Sequence, residues 1–104
     1  MLQTFDGVWV EIIERLKPGQ VIQNWGAKQG LSEKKFLIIN VNQNSIIVQP
    51  RSSKKNRTIP RNDFERVWNE WQGYLDGRFS RHKFRDNNIY HSSYIISIYH
   101  WMDL

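Results

Sequence analysis

Phe36-Leu37-Ile38-Ile39-Asn40-Val41, then Asn42-Gln43-Asn44-Ser45, then Ile46-Ile47-Val48-Gln49-Pro50, is the stretch on which the fold turns. It reads as two strands joined by a tight turn. β-branched and aromatic residues fill both flanks. Asparagine and serine supply the turn, because their short side chains bond to nearby backbone. Pro50 closes the second strand, since it has no N–H to give to a ladder. The first strand is nearly all apolar, which predicts a place at the sheet centre with both faces covered.

Outward from this hairpin the same logic extends the sheet. Arg51-Ser52-Ser53-Lys54-Lys55-Asn56 reads as a second hairpin tip, and Arg57-Thr58-Ile59 as a short last strand. Upstream, Val21-Ile22-Gln23-Asn24 is a short strand. A polar loop punctuated by Gly26 and Gly30 separates it from Phe36. Short successive connections predict an antiparallel meander of three to four strands.

Helices flank the sheet in sequence. Leu2, Phe5, Trp9, Ile12 and Leu16 recur at helical steps until Lys17-Pro18-Gly19 stops them. Asn62 and Glu65 have capping-box spacing before the apolar face Phe64, Val67, Trp68, Trp71 and Leu75, and Asp76-Gly77 ends that helix. Residues 78–90 are basic and carry no clear period. A last helix runs from Ser92 to Met102, with Tyr94, Ile95, Ile98, Trp101 and Met102 as its buried stripe. The reading is an α+β fold, with an N-terminal helix, an antiparallel sheet and two C-terminal helices packed on it. Its 104 residues form a single domain, 1–104.

Composition excludes several classes. The chain has no cysteine, so disulfide scaffolds, thiolate zinc sites and cysteine nucleophiles are ruled out. The opening Met1-Leu2-Gln3-Thr4-Phe5-Asp6 lacks a basic region followed by an apolar run, which argues against a secretory leader. The longest apolar run is far short of the roughly 20 residues that span a bilayer. These features point to a cytoplasmic protein with no membrane partner. No cofactor is indicated.

Charge is the strongest functional signal. Arg51, Lys54, Lys55, Arg57 and Arg61 stand in one acid-free segment, and Arg78, Arg81, Lys83 and Arg85 in another, with His82 among them. These nine cations leave six basic against ten acidic residues elsewhere, so the formal charge of +5 comes wholly from two short segments. Lys and Arg neutralise phosphates, and Arg adds a bidentate fork. Ser52, Ser53 and Asn56 can bond to phosphate or sugar. Trp25, beside Gly26 in a polar loop and off any helical stripe, is a candidate to stack on a base, as is Tyr90. The reading is a non-enzymatic module that binds DNA or RNA, and the bland counterpart is a pair of solvated loops.

The aromatic load suggests a second role. Five Trp, four Tyr and five Phe are many for one small sheet, and unburied apolar surface favours self-association. A homodimer, or a homo-oligomerising protein-interaction domain, is the alternative reading.

Catalysis has little to stand on. His82, His91 and His100 never stand three or four apart, so no helical metal pair exists. His91-Ser92-Ser93 reads as a helix start rather than a nucleophile with its base. Glu33-Lys34-Lys35 supplies only half of a metal-dependent nuclease signature, with Asp6, Glu11 and Glu14 the sole carboxylates before it.

The segment Arg57-Thr58-Ile59-Pro60-Arg61-Asn62-Asp63-Phe64-Glu65-Arg66-Val67-Trp68, with Trp71, Tyr74, Gly77 and later Ser92-Ser93-Tyr94-Ile95-Ile96-Ser97-Ile98, carries a resemblance. It resembles small uncharacterised bacterial domains found on integron mobile gene cassettes and beside restriction systems. The similarity covers most of the chain from Lys17 onward and consists of core and capping positions. It implies a bacterial, mobile-element setting and brings no catalytic residues with it.

Overall fold

A computed structural model describes residues 4–104. Its helices and strands follow the order α1 (Phe5–Arg15), β1 (Val21–Gly26), β2 (Gly30–Val41), β3 (Ser45–Pro50), β4 (Arg57–Pro60), α2 (Arg61–Asn69), α3 (Trp71–Leu75), α4 (Arg81–Asp86) and α5 (Ser92–Trp101). The sheet is a four-stranded antiparallel meander in the order β1-β2-β3-β4. The expected α+β architecture is therefore the observed one. Leu2, assigned above to the first helical stripe, lies outside the described residues.

One face of the sheet makes the core. Ile22 pairs with Phe36, Ile38 with Val48, and Ile46 with Ile59, and all six are buried. Val8, Trp9 and Ile12 of α1, Phe64 and Val67 of α2, and Ile95, Ile96, Ile98 and Tyr99 of α5 join them in one cluster. The other face is left open. Val21 is 44% exposed, and Leu37, Ile39 and Ile47 stay partly exposed outside that cluster. The expectation that Phe36–Val41 has both faces covered is thus corrected. Period-two alternation holds through Ile38, and a β-bulge then takes up Ile39 as the extra residue, so that Asn40 pairs with Ile47 and Val41 with Ile46. The apolar run reflects a bulge and a lightly covered outer face.

Three further expectations change. The loop before Phe36 is strand, because β2 begins at Gly30, which takes φ +74° to close the β1–β2 hairpin. The Asn62–Glu65 capping box does not form. The second helix starts at Arg61 after Pro60, with no side-chain cap, and breaks at Glu70 into α2 and α3. The basic stretch without clear period contains a short helix, α4, anchored by buried Phe84.

Polar groups lock the helices together. The buried Tyr99 hydroxyl donates to the Phe64 carbonyl, and Trp9 Nε1 donates to the Gln43 carbonyl in the β2–β3 turn at 2.9 Å. Burial pushes the Tyr99 hydroxyl well above its ordinary range, reinforced by nearby Glu65, so it stays a donor. Tyr99→Phe should lower unfolding free energy by about 1 kcal/mol, read by urea denaturation. Unchanged stability would mean that this bond contributes nothing net.

Asp63 supplies a pH test. Partial burial raises its carboxyl, against the opposing pull of Arg66 and His91. A folded pKa above the unfolded one favours folding while the group is protonated, and that contribution is lost as pH rises through the folded pKa. Asp63→Asn should therefore melt higher than the parent at neutral pH, with the gap closing in acid. A gap that widens in acid would reverse the sign.

Candidate nucleic-acid interface

Toward its hairpin end the β1–β2 ribbon changes from apolar to polar side chains. Two residues beyond buried Ile22 comes Asn24. Two and four residues before buried Phe36 come Lys34 and Ser32. Here the ribbon is irregular: Gln23 pairs with Lys35 but Trp25 with Leu31, so Asn24 stands against three residues of β2. The Gln23 side chain bonds the Ser32 carbonyl at 2.6 Å, and Ser32 Oγ accepts the Lys34 N–H at 3.1 Å, fixing the bulge.

The bulged ribbon forms one wall of a cavity of about 570 Å³. Arg81, His82 and Arg85 of α4, Ile89 and Tyr90 of the α4–α5 connection, and Ser92 and Ser93 of α5 form the rest of its lining, with Trp25, Gly26, Gln29 and Gly30 from the ribbon. The N-terminus of α5 has no side-chain cap bond. Tyr90 is 65% exposed, its hydroxyl held by Asn88 Oδ1 at 3.0 Å. Asn24 carries a buried side-chain oxygen with no hydrogen-bond partner.

The electrostatics are one-sided. Lys34, Arg81 and Arg85 line the cavity, and no Asp or Glu does. Arg81 and Arg85 are four apart on α4, where like charges oppose each other by a few tenths of a kcal/mol. Arg81 also stands in the first turn, against the helix dipole. Such an arrangement attracts anions and is relieved by binding one.

The ten residues singled out from sequence separate into groups. Arg81, Arg85 and Trp25 meet at the cavity. Arg51, Lys54 and Lys55 are exposed at the β3–β4 hairpin tip, and Arg57 follows at the start of β4. Antiparallel topology puts that tip at the same end of the sheet as the cavity. The Arg51 N–H bonds the Lys35 carbonyl at 3.1 Å, one residue from Lys34. Lys83 lies over the Phe79 ring, at 5.6 Å. Arg61 and Arg78 stand apart from the unpaired cations. Arg61 pairs with Asp6, lies over Phe5, and bonds through its N–H to Asn44 at the opposite sheet end, while Arg78 pairs with Asp76 at 2.9 Å.

Trp25 is half-buried. It stacks on His100 with centroids 4.1 Å apart and planes 3° apart, so His100 already covers one ring face. Tyr90 is the freer aromatic. The residues missed from sequence are Asn24, Ser32, Lys34, Ser92 and Ser93. For Asn24, Ser32 and Lys34 the signal was spacing in steps of two from Ile22 and Phe36, whereas Ser92 and Ser93 belong to α5 and carried no such signal.

Among the described residues no group of three or more His, Asp or Glu side chains is placed to hold a metal ion. Among the same residues no helix is long and apolar enough to cross a membrane. Comparison with protein-family models, curated proteins and solved structures finds no match to this chain.

Buried Ser97 braces the cavity from behind. Its Oγ accepts the Trp25 N–H at 3.0 Å and donates to the Ser93 carbonyl at 2.7 Å. Ser97→Ala leaves the Trp25 N–H without a partner and should cost about 1–3 kcal/mol, read by chemical denaturation. A loss well under that range would show that water replaces the hydroxyl.

Proposed function

We propose that this chain is a non-enzymatic binding module that contacts the phosphates of DNA or RNA with the basic end of its sheet. The observation that carries this is the set of Lys34, Arg81 and Arg85 around one cavity that no carboxylate lines. Arg51, Lys54 and Lys55 add exposed cations at the hairpin tip on the same end of the sheet. Binding is then driven chiefly by counterion release, with little direct reading of bases. A bacterial cytoplasm with a mobile genetic element is the setting that suits this reading.

Affinity for a mixed-sequence oligonucleotide should fall steeply as salt rises. Replacing Lys54 and Lys55 together by Ala should reduce the log–log salt slope by about 1.4–1.8, the value for two lost phosphate contacts. Fluorescence anisotropy across a salt series measures this, and salt-independent or undetectable binding would sink the proposal.

A second reading has its own observation. The outer sheet face leaves Val21, Leu37, Ile39 and Ile47 partly or largely exposed, which suits a homo-oligomerising interaction domain. Under this reading sedimentation gives a concentration-dependent mass that Leu37→Asp with Ile47→Asp abolishes. A monomer at all concentrations removes it.

A further inference from the structure

The cavity differs in kind from the hairpin tip, and that difference narrows the ligand. The tip is convex and exposed, suited to any polyanionic backbone. The cavity is concave, and its volume lies in the range of small-ligand sites. A duplex offers its phosphates along a smooth outer edge and cannot push a nucleotide into such a recess. An unpaired strand end, or a free nucleotide, can do so.

Charge narrows it further. A phosphodiester carries one negative charge, whereas a phosphomonoester carries between one and two near neutral pH. Lys34, Arg81 and Arg85 bring three positive charges to the cavity, in excess of what one diester needs. Tyr90 at 65% exposure offers a ring face to a base, while Trp25 contributes to the wall. Asn24, with its unpartnered buried oxygen, leaves hydrogen-bonding capacity unused beside the cavity.

We infer that the cavity is a site for one nucleotide bearing a phosphate monoester, with the phosphate held by Arg81, Arg85 and Lys34 and the base laid against Tyr90. The ligand chemistry is a nucleoside monophosphate, free or as the terminal residue of a single strand. The inference rests on the nucleic-acid reading for its strand-end form alone. The Arg51–Lys55 tip then takes the phosphates that follow the terminal one, since Arg51 is bonded to the strand that carries Lys34.

The test compares four probes by anisotropy and competition: a short thymidine oligonucleotide with a 5′-phosphate, the same oligonucleotide with a 3′-phosphate, the unphosphorylated form, and free thymidine monophosphate. At least one phosphorylated end should bind about tenfold or more tighter than the unphosphorylated form, the equivalent of one charge-assisted hydrogen bond. Arg81→Gln with Arg85→Gln should erase that preference, while Lys54→Ala with Lys55→Ala should weaken all oligonucleotides by a common factor. Circular dichroism verifies that each variant is folded, and Arg85→Lys serves as a milder variant that keeps charge but loses the fork.

Thymidine monophosphate binding as tightly as the phosphorylated strands supports the site with a free nucleotide as its source. Binding tenfold weaker supports a strand end. Equal affinity for phosphorylated and unphosphorylated strands, with no binding of the monophosphate, overturns the inference and leaves the nucleic-acid proposal standing. Binding of the monophosphate alone overturns the nucleic-acid proposal and supports the site. Binding of no probe overturns both.

Discussion

The burial of α5 is the constraint from which the rest of the structure follows. Ile95, Ile96, Ser97, Ile98 and Tyr99 are five consecutive buried residues, so the helix is enclosed on nearly every side. It packs on β1 and α2 and meets α4 near its start. A helix in that position needs its polar groups matched, and two hydroxyls do this. Ser97 reaches the Trp25 N–H, and Tyr99 reaches the Phe64 carbonyl. These bonds fix how the sheet, the second helix and the last helix meet.

Aromatic side chains carry much of that packing. Trp9 meets Phe64 at 5.1 Å, Phe64 meets Tyr99 at 6.1 Å, and Tyr99 meets Trp71 at 5.2 Å. Tyr74 and Phe84 continue the chain to Phe79. The separations fall within the range where edge and offset contacts add to simple area burial. An aromatic content that looks excessive for one small sheet is thus largely absorbed by a ladder linking α1, α2, α3, α4 and α5. The exposed apolar surface that remains includes Tyr90, Val10 of α1, Leu75 of α3, and Val21 and Leu31 of the sheet.

The cavity lies between the β1–β2 ribbon, α4, the α4–α5 connection and the start of α5. Ile22, Phe36 and Ile38 of the ribbon are buried, whereas Asn24, Ser32 and Lys34 line the cavity. Arg81 and Arg85 of α4 line it together with Lys34, and no Asp or Glu does. Buried Phe84 holds this short helix in place against a charge pattern that weakens it. The arrangement contrasts with Arg61 and Arg78, each neutralised by a nearby aspartate.

Sequence by itself determined the α+β order of helix, antiparallel strands and C-terminal helices, though not α4 or the break between α2 and α3. Hydrophobic period, turn residues and the Pro18-Gly19 and Asp76-Gly77 stops are local signals, so α1, the β2–β3 hairpin, β4 and α5 were legible without coordinates. It also marked Arg81, Arg85 and Trp25 as candidates, through charge clustering and a tryptophan off any stripe. Tertiary structure alone decided which cations work together. Ion pairing of Arg61 with Asp6 joins residues 55 positions apart, and Lys34 and Arg81 come to line one cavity only in the folded chain. Contact between distant segments depends on the packing of whole elements, which local periodicity does not encode. For the same reason α5 showed only a stripe in sequence, while the fold buried it nearly all round.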